Sequence, residues 1–194
     1  AALVEGSDII SVYRDRSPTE IRDIAIVRTK DGVWSTPTLV ANDGWEINGC
    51  PVNGPAVDAL GTAVAVAWFT AADDALAVNV AFSSDGGISF EAPLKVDFGS
   101  PQGRVDILMR DAHLAVVTWV EHGPDGEVIL ICTINSREGC IEPVTLTTSN
   151  DGPSIGFPRM ALGKDGVFLA WTAAQDADHQ SPKVGTTVKV MRFQ

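Results

Sequence analysis

The sequence predicts an all-β protein, a β-propeller of four-stranded antiparallel blades, because two markers repeat along it and no helical periodicity is found. Tyr13 is the first residue of one series of aromatic residues, each of which ends an apolar strand. The series continues with Trp68, Trp119 and Trp171, and these three tryptophans are 51 and then 52 residues apart. A proline that opens an outer strand recurs at Pro37, Pro93 and Pro143. Four-stranded units with a period near 50 residues are typical of propeller blades.

Each repeat consists of short apolar or alternating segments separated by Gly, Asp, Asn and Pro. In the second repeat these segments predict strands at 51–58, 63–70, 76–83 and 90–96. No window has a convincing 3.6-residue period, so the helix content should be negligible. A flat sandwich is the alternative, but it does not require a repeating set of strands. The predicted blades are 1–47, 48–98, 99–149 and 150–194.

The two ends do not complete whole blades. Dividing 194 residues by the period gives roughly 3.8 blades. The first blade is expected to begin near its second strand and the last to stop after its third. Either residues 1–7 close a four-bladed ring or the chain is part of a larger propeller, and we favour the larger propeller. Open edges then attract another chain or the remaining blades. Apolar residues expected near these edges are Ile9, Val12, Val188 and Val190.

Composition excludes some partners. The chain is 45% hydrophobic and 20% charged, enough for a folded core, and its formal net charge is -11. Nucleic acids and anionic membrane surfaces require a positive field, so both are excluded as partners. No apolar run approaches the ~18 residues of a spanning helix.

One turn carries a recognisable motif. The segment 83–90, Ser-Ser-Asp-Gly-Gly-Ile-Ser-Phe, lies between a third and a fourth strand. Asp85 can accept backbone N–H groups of the turn, Gly87 permits positive φ values, and Phe90 is expected to pack inward. The pattern resembles the Asp-box, or bacterial neuraminidase, repeat, with Ser83, Asp85, Gly87 and Phe90 as its structural residues. Segment 29–34 is a shortened copy.

The chain therefore resembles a sialidase-like β-propeller, and the resemblance implies part of a six-bladed ring. It also implies binding of a sugar carboxylate by three arginines, and attack by a tyrosine paired with a glutamate, with an aspartate as acid/base. This chain lacks the Arg-Ile-Pro signature of the family. Its one tyrosine, Tyr13, occupies the packing position of the repeated tryptophans.

If the third-to-fourth strand turns lie on one face, the opposite face collects the inner-strand starts and the second-to-third strand loops. Arginines there form a local positive pocket for a carboxylate. Arg104 and Asp106 alternate on an inner strand, so both should point into the central channel. Asp106 is the candidate acid/base. The candidate substrate-binding residues are Arg14, Arg16, Asn53, Arg104 and Arg159.

Two functions remain open. The first is a sialidase-like exo-glycosidase, or a piece of one, acting on an anionic terminal sugar. The second is a propeller that binds a glycan or a protein without chemistry, which the incomplete tyrosine site favours. Trp45 either stacks on a sugar or fills a gap between blades.

No cofactor or metal site is predicted. The histidines have no ligand spacing, and the acidic pairs Asp73-Asp74 and Asp176-Ala-Asp178 are interpreted as solvated loops. Cys132 and Cys140 flank segment 133–139, a degenerate copy of the Asp-box motif. The two cysteines can face each other across this hairpin and form a disulfide. Such a bridge would indicate an extracellular or periplasmic protein. Cys50 is left over and expected to be buried.

Overall fold

The computed structural model describes residues 1–4, 8–149, 156–174 and 186–193. These residues form four antiparallel sheets in chain order, and the predicted fold class is confirmed. Helical structure in the described part of the chain is limited to one 3-10 turn, Ala72–Asp74. No helix among these residues is long and apolar enough to cross a membrane.

Each sheet lies within one of the four predicted segments. The first contains β1 (Ala2–Leu3), β2 (Ile9–Arg14), β3 (Ile24–Lys30), β4 (Val33–Trp34) and β5 (Thr38–Leu39). The second contains β6 (Ala56–Leu60), β7 (Ala63–Thr70), β8 (Ala77–Ser83) and β9 (Leu94–Lys95). The third contains β10 (Pro101–Met109), β11 (Leu114–Gly123), β12 (Gly126–Asn135) and β13 (Gly139–Ser149). The fourth contains β14 (Arg159–Gly163), β15 (Gly166–Ala174) and β16 (Thr186–Phe193).

The second sheet shows where sequence patterns define strands well. Strand β7 has the predicted bounds because all eight of its residues are buried. The predicted first and fourth strands, 51–58 and 90–96, are longer than the observed β6 and β9. Proline has no backbone N–H to donate to a ladder, and Pro51, Pro55 and Pro93 lie where the pairing is missing.

The first sheet begins differently from the prediction. A short inner strand, β1, precedes the expected second strand and pairs with it, Ala2 opposite Ile10 and Leu3 opposite Ile9. Residues 2–3 therefore belong to the first sheet and do not complete the last one, which argues against ring closure through them. The last sheet has three strands among the described residues, as predicted. Residues 5–7 lie outside the described part.

The repeated tryptophans pack each sheet on the one before it. Trp68 lies in a buried cluster with Ile10, Ile24 and Ile26 of the first sheet. Trp119 packs with the second sheet and Trp171 with the third. The marker recurs once per blade because one large side chain fills each gap between sheets.

The inner strands β1, β6, β10 and β14 contact one another in that order. The end of the sheets at which inner strands start and second-to-third strand connections lie is called the rim face. The other end, with the first-to-second and third-to-fourth strand turns, is called the turn face. The turn at residues 83–90 is called the box turn. The Gly86 N–H donates to the Thr62 carbonyl at 2.8 Å, so the box turn lies beside a first-to-second strand turn. This placement agrees with the predicted separation of the box from the rim.

The last sheet has an uncovered apolar face. Val188 and Val190 on β16 pair with Thr172 and Ala170, on the side away from Trp171. Their equivalents in the second sheet, Val78 and Val80, are fully buried by the third sheet. Val188 and Val190 are 66% and 64% exposed. The difference in exposure between these two pairs of valines shows that the last sheet has an apolar face that another sheet would cover.

The first sheet has a matching uncovered face on its opposite side. Ile9 lies four residues before Tyr13, and Val64 lies four residues before Trp68, so the two positions are equivalent. Ile9 is 37% exposed, whereas Val64 is fully buried. Leu3 and Leu39 are also exposed. Val12 was expected near this edge, but it points the other way and packs against the second sheet. The cause is the two-residue alternation of side chains along β2.

Candidate functional site at the rim face

The predicted rim residues lie at the rim face, but most of them bind other parts of the protein. Arg14 is the clearest case. Its Nε, Nη1 and Nη2 atoms donate to the carbonyl oxygens of Asn53, Arg22 and Phe69 at 3.1, 2.7 and 2.6 Å. Burial lowers the pKa of Arg14 to about 10, although nearby Asp43 and Asp23 oppose the shift. This geometry favours a structural arginine that joins the first two sheets.

Trp45 completes that junction. The Arg14 guanidinium lies 4.7 Å from the centre of the Trp45 ring, and Phe69 meets the ring edge-on at 5.7 Å. Trp45 is 7% exposed and belongs to the core cluster. Of the two roles left open by the sequence, the structure supports filling the gap between blades.

Asn53 joins the second sheet to the third. Its Nδ2 donates to the Gln102 carbonyl at 2.9 Å, and its Oδ1 accepts the Arg104 N–H at 3.1 Å. A Cβ at Gly103 would lie 2.7 Å from Asn53, so this approach requires glycine. Both amide atoms of Asn53 are therefore used between sheets.

A bulge interrupts the regular strand that was predicted from Arg104 to Asp106. Gly103 and Arg104 have φ values of +77° and +54°, and the pairing of β10 with β11 shifts register between Gly103 and Asp106. A bulge of this kind adds an extra residue to one strand and locally increases its bend and twist. Arg104 Nη1 pairs at 3.0 Å with Glu127 Oε2 on β12.

Arg16 is an exposed loop residue. Its guanidinium pairs with Glu20, and its side chain is 64% exposed. Exposed pairs of this kind contribute little to stability because solvent and salt screen them. Arg16 is available at the surface and is not positioned by a strand.

Asp106 in β10 and Arg159 at the start of β14 come together. Asp106 Oδ1 lies 3.4 Å from Arg159 Nη1, and Asp106 Oδ2 accepts the Met160 N–H at 2.6 Å. Burial raises the pKa of Asp106, while the bond from Met160 and the charge of Arg159 oppose that shift. The Arg159 side chain is 68% exposed. A guanidinium oriented by a buried carboxylate therefore faces solvent.

Asp106 has a counterpart one blade earlier. Asp58 on β6 accepts the Met109 N–H of the next inner strand at 2.7 Å, 51 residues along the chain. Asp106 makes the same kind of bond to Met160, 54 residues along. The repeat spacing of these inner-strand aspartates was the signal that could have predicted a bond between sheets.

Other buried carboxylates also satisfy backbone groups of the protein. Asp23 accepts the N–H groups of Gly44 and Trp45, and Asp97 accepts that of Val78. Sequence analysis did not single out these two residues, and an acidic residue next to a strand gives little indication of such a role. They hold strand ends and connections in place.

The box turn forms on the turn face. Asp85 Oδ1 accepts the N–H groups of Ile88 and Ser89 at 2.9 and 3.0 Å and the Ser83 hydroxyl at 2.7 Å. Gly87 has a φ of +77°, and a Cβ there would lie 2.8 Å from Ile26. Phe90 packs against the core between the first two sheets.

We expect replacement of Asp85 by asparagine to remove one pH dependence of stability. Desolvation opposes ionisation of Asp85, but the bonds from Ser89, Ser83 and Ile88 outweigh it and lower its pKa to about 2 from 3.8. A depressed carboxyl pKa stabilises the fold above the unfolded-state value, and this stability is lost as pH falls toward the folded-state value. Thermal midpoints of the wild type and Asp85→Asn should therefore converge between about pH 4 and pH 2. Parallel curves would contradict the assignment, and Asp125→Asn at an exposed turn is the control.

The cysteines divide as a pair and a single residue. Cys132 and Cys140 form a disulfide across the hairpin of β12 and β13, with a Cα–Cα distance of 5.9 Å. Cys50 was expected to be buried, but it is exposed. It lies between Gly49 and Pro51 in a connection without strand pairing, so nothing draws its side chain into the core.

Three grooves bounded by described residues have volumes of about 700, 430 and 470 Å³. The first lies at the turn face beside Asp85, and the second between the third and fourth sheets. The third lies at the rim face beside Phe98, a residue that the sequence analysis missed. None of the three includes the candidate substrate-binding residues or Asp106. The Asp176-Ala-Asp178 segment, interpreted from the sequence as a solvated loop, lies outside the described residues.

Three solved structures with a similar fold are carbohydrate-active propellers. A Penicillium chrysogenum alpha-L-arabinanase solved with arabinobiose has a TM-score of 0.66 and 11% identity, over 96% of this chain and 59% of that one. The Bacteroides ovatus xyloglucan PUL protein GH43B has a TM-score of 0.56 and 14% identity, over 98% and 38% of the two chains. The Hadza microbial sialidase Hz136 has a TM-score of 0.54 and 15% identity, over 97% and 43%. The chain therefore shares the β-propeller fold of these three structures.

These similarities concern the fold. The neighbours include both sialidase and arabinanase, so they do not single out the sialidase family. No protein-family model and no curated protein sequence matches the chain. The chain spans 59%, 38% and 43% of the lengths of the three neighbours.

Proposed function

We propose that the chain is part of a carbohydrate-binding propeller of the glycoside hydrolase type and receives an anionic terminal sugar at its rim face. The observation that carries the proposal is the Asp106–Arg159 pair. Arg159 begins an inner strand, is oriented by Asp106 at 3.4 Å, and has a side chain 68% exposed. A guanidinium in that position matches the two oxygens of a sugar carboxylate.

Binding is favoured over hydrolysis by the chain alone. The sialidase resemblance requires three arginines for the carboxylate, yet Arg14 donates to three carbonyl oxygens and Arg104 pairs with Glu127. Asp106 makes the same kind of inter-sheet bond as Asp58. These contacts support a structural use of residues that a sialidase would present to its substrate.

Hydrolysis remains the second candidate because the pKa of Asp106 is raised by burial. A general acid must hold its proton near the working pH, and burial of a carboxyl is a common way to achieve this. In this reading Asp106 protonates the leaving oxygen, and blades outside this chain supply the remaining groups.

Binding is tested by calorimetric titration with 3′-sialyllactose and, as its neutral counterpart, lactose. We expect sialyllactose to bind more tightly than lactose, and Arg159→Ala to remove that preference. Arg137→Ala, at an exposed turn-face arginine, is the matched control and should keep it. Equal affinities of Arg159→Ala and wild type would overturn the role of Arg159.

Hydrolysis is tested by product release from the same glycan and from a fluorogenic sialoside. If Asp106 is the acid, Asp106→Asn abolishes release while the protein stays folded, because an amide oxygen can still accept the Met160 N–H. If the wild type binds the glycan but releases no hydrolysis product, the result supports the non-catalytic binding function. Release that is unchanged in Asp106→Asn would exclude Asp106 as the acid.

We further propose that another propeller sheet covers each uncovered end face, and that a second copy supplies it when the chain is alone. Where two consecutive sheets pack together, the first uses the face that points toward the C-terminal sheets and the second uses the face that points toward the N-terminal sheets. The first and last sheets present one uncovered face of each kind, so two copies are complementary. The disulfide supports an extracellular or periplasmic location, which we also propose.

A further inference from the structure

The rim-face groove beside Phe98 lies away from the Asp106–Arg159 pair and has a volume of about 470 Å³. It lies on the third sheet, where the connection from the second sheet carries Phe98, and is also lined by His122, Pro124 and Pro143. Its volume falls within the usual range of small-molecule sites, about 300–1,000 Å³. The groove has the size of a site for one or two sugar rings.

Phe98 is exposed and yet held firmly. Its side chain is 60% exposed, and its N–H donates to Glu121 Oε1 at 2.8 Å. Glu121, which is 5% exposed, accepts the Trp119 indole N–H at the same oxygen at 2.7 Å. One buried carboxylate therefore positions both the backbone of Phe98 and the indole beneath it.

The two rings form a layered platform. Their centres are 6.2 Å apart with an interplanar angle of 32°, and Trp119 is fully buried. Trp119 therefore supports the Phe98 ring from the core side, and solvent contacts the other side. A rigid aromatic surface of this kind contributes contact area with little loss of side-chain entropy.

The exposure of Phe98 does not arise from the uncovered end faces. The second sheet packs on the first and third, and the third packs on the second and fourth. The groove is thus formed on a sheet that has a neighbouring sheet on each side. The exposure of the Phe98 ring is therefore not explained by a missing neighbouring blade.

We propose that this groove binds a neutral sugar ring of a glycan, stacked on Phe98, with His122 at its polar edge. The C–H face of a sugar ring is apolar and packs on an aromatic ring, while its hydroxyl groups need polar partners at the rim. His122 lies in the same groove and is exposed at the end of β11. This inference rests on the proposed carbohydrate function and adds a second contact region for the ligand.

The test is calorimetric titration with three probes: arabinobiose, a xyloglucan oligosaccharide and 3′-sialyllactose. For the probe that binds best, we expect Phe98→Ala to raise the Kd by about tenfold, equivalent to 1.4 kcal/mol. Phe98→Trp keeps the platform and should bind within about twofold of wild type. Trp34→Ala, at an exposed aromatic residue of the turn face, is the matched control and should leave the Kd unchanged.

The outcomes separate this inference from the proposed function. Wild-type affinity in Phe98→Ala overturns the platform alone. Loss of the preference for sialyllactose in Arg159→Ala, with neutral probes still dependent on Phe98, supports both. No binding of any probe by the wild type overturns both. Circular dichroism checks the fold of Phe98→Ala, whose bond to Glu121 is made by the backbone and is retained.

Discussion

Trp119→Ala is expected to lower the free energy of unfolding by about 3–5 kcal/mol, the usual cost of removing a buried tryptophan. Trp119 is fully buried between the second and third sheets, and its indole N–H donates to Glu121 at 2.7 Å. The substitution leaves both a cavity and a buried carboxylate with one fewer donor. Either effect loosens the contact between two blades.

Urea denaturation followed by circular dichroism measures this change. Trp119→Phe should cost less than Trp119→Ala because it refills part of the cavity. Trp34→Ala removes an exposed tryptophan and should change stability by about 0.5 kcal/mol or less. A Trp119→Ala effect as small as that of Trp34→Ala would contradict the packing role of the repeated tryptophans.

The second large effect is expected in the oligomeric state. The wild-type chain should associate in a concentration-dependent way, and Val190→Asp should make it monomeric. Val190 is 64% exposed, whereas the equivalent Val80 is fully buried under the next sheet. An aspartate there would have to be desolvated by the partner sheet without a counter-charge, which is costly.

Light scattering coupled to size exclusion at several concentrations tests this expectation. Val52→Asp is the matched control, because Val52 is 81% exposed in a connection and the substitution adds the same negative charge. The control should associate like the wild type. A wild type that stays monomeric at every concentration would contradict the proposed second copy.

The repeat could be predicted because it depends on side-chain burial. Apolar residues fill β7 from Ala63 to Thr70, and one tryptophan fills each gap between sheets, so both leave a clear signal in the sequence. The sequence predicted strand bounds less well where prolines lie near the end of a strand. The strand predicted at 51–58 begins at Ala56 because the prolines before it cannot donate to the ladder.

The candidate site was harder to predict because its contacts involve the backbone. Arg14 binds carbonyl oxygens from three segments. The residue types in a sequence do not show which backbone carbonyl oxygens will accept a hydrogen bond from a side chain. The bulge at Gly103 and Arg104 depends on positive φ values, which a glycine followed by an arginine does not signal. Position on the rim was predictable, whereas availability to a ligand was not.

Carbohydrate binding at the rim face is tested most directly by chemical-shift mapping with 3′-sialyllactose. Backbone amides of a ¹⁵N-labelled chain would be followed during the titration. We predict shifts at Asp106, Arg159 and Met160, with none in the box turn from Ser83 to Phe90. Shifts confined to the box turn, or no shifts at saturating ligand, would contradict the account.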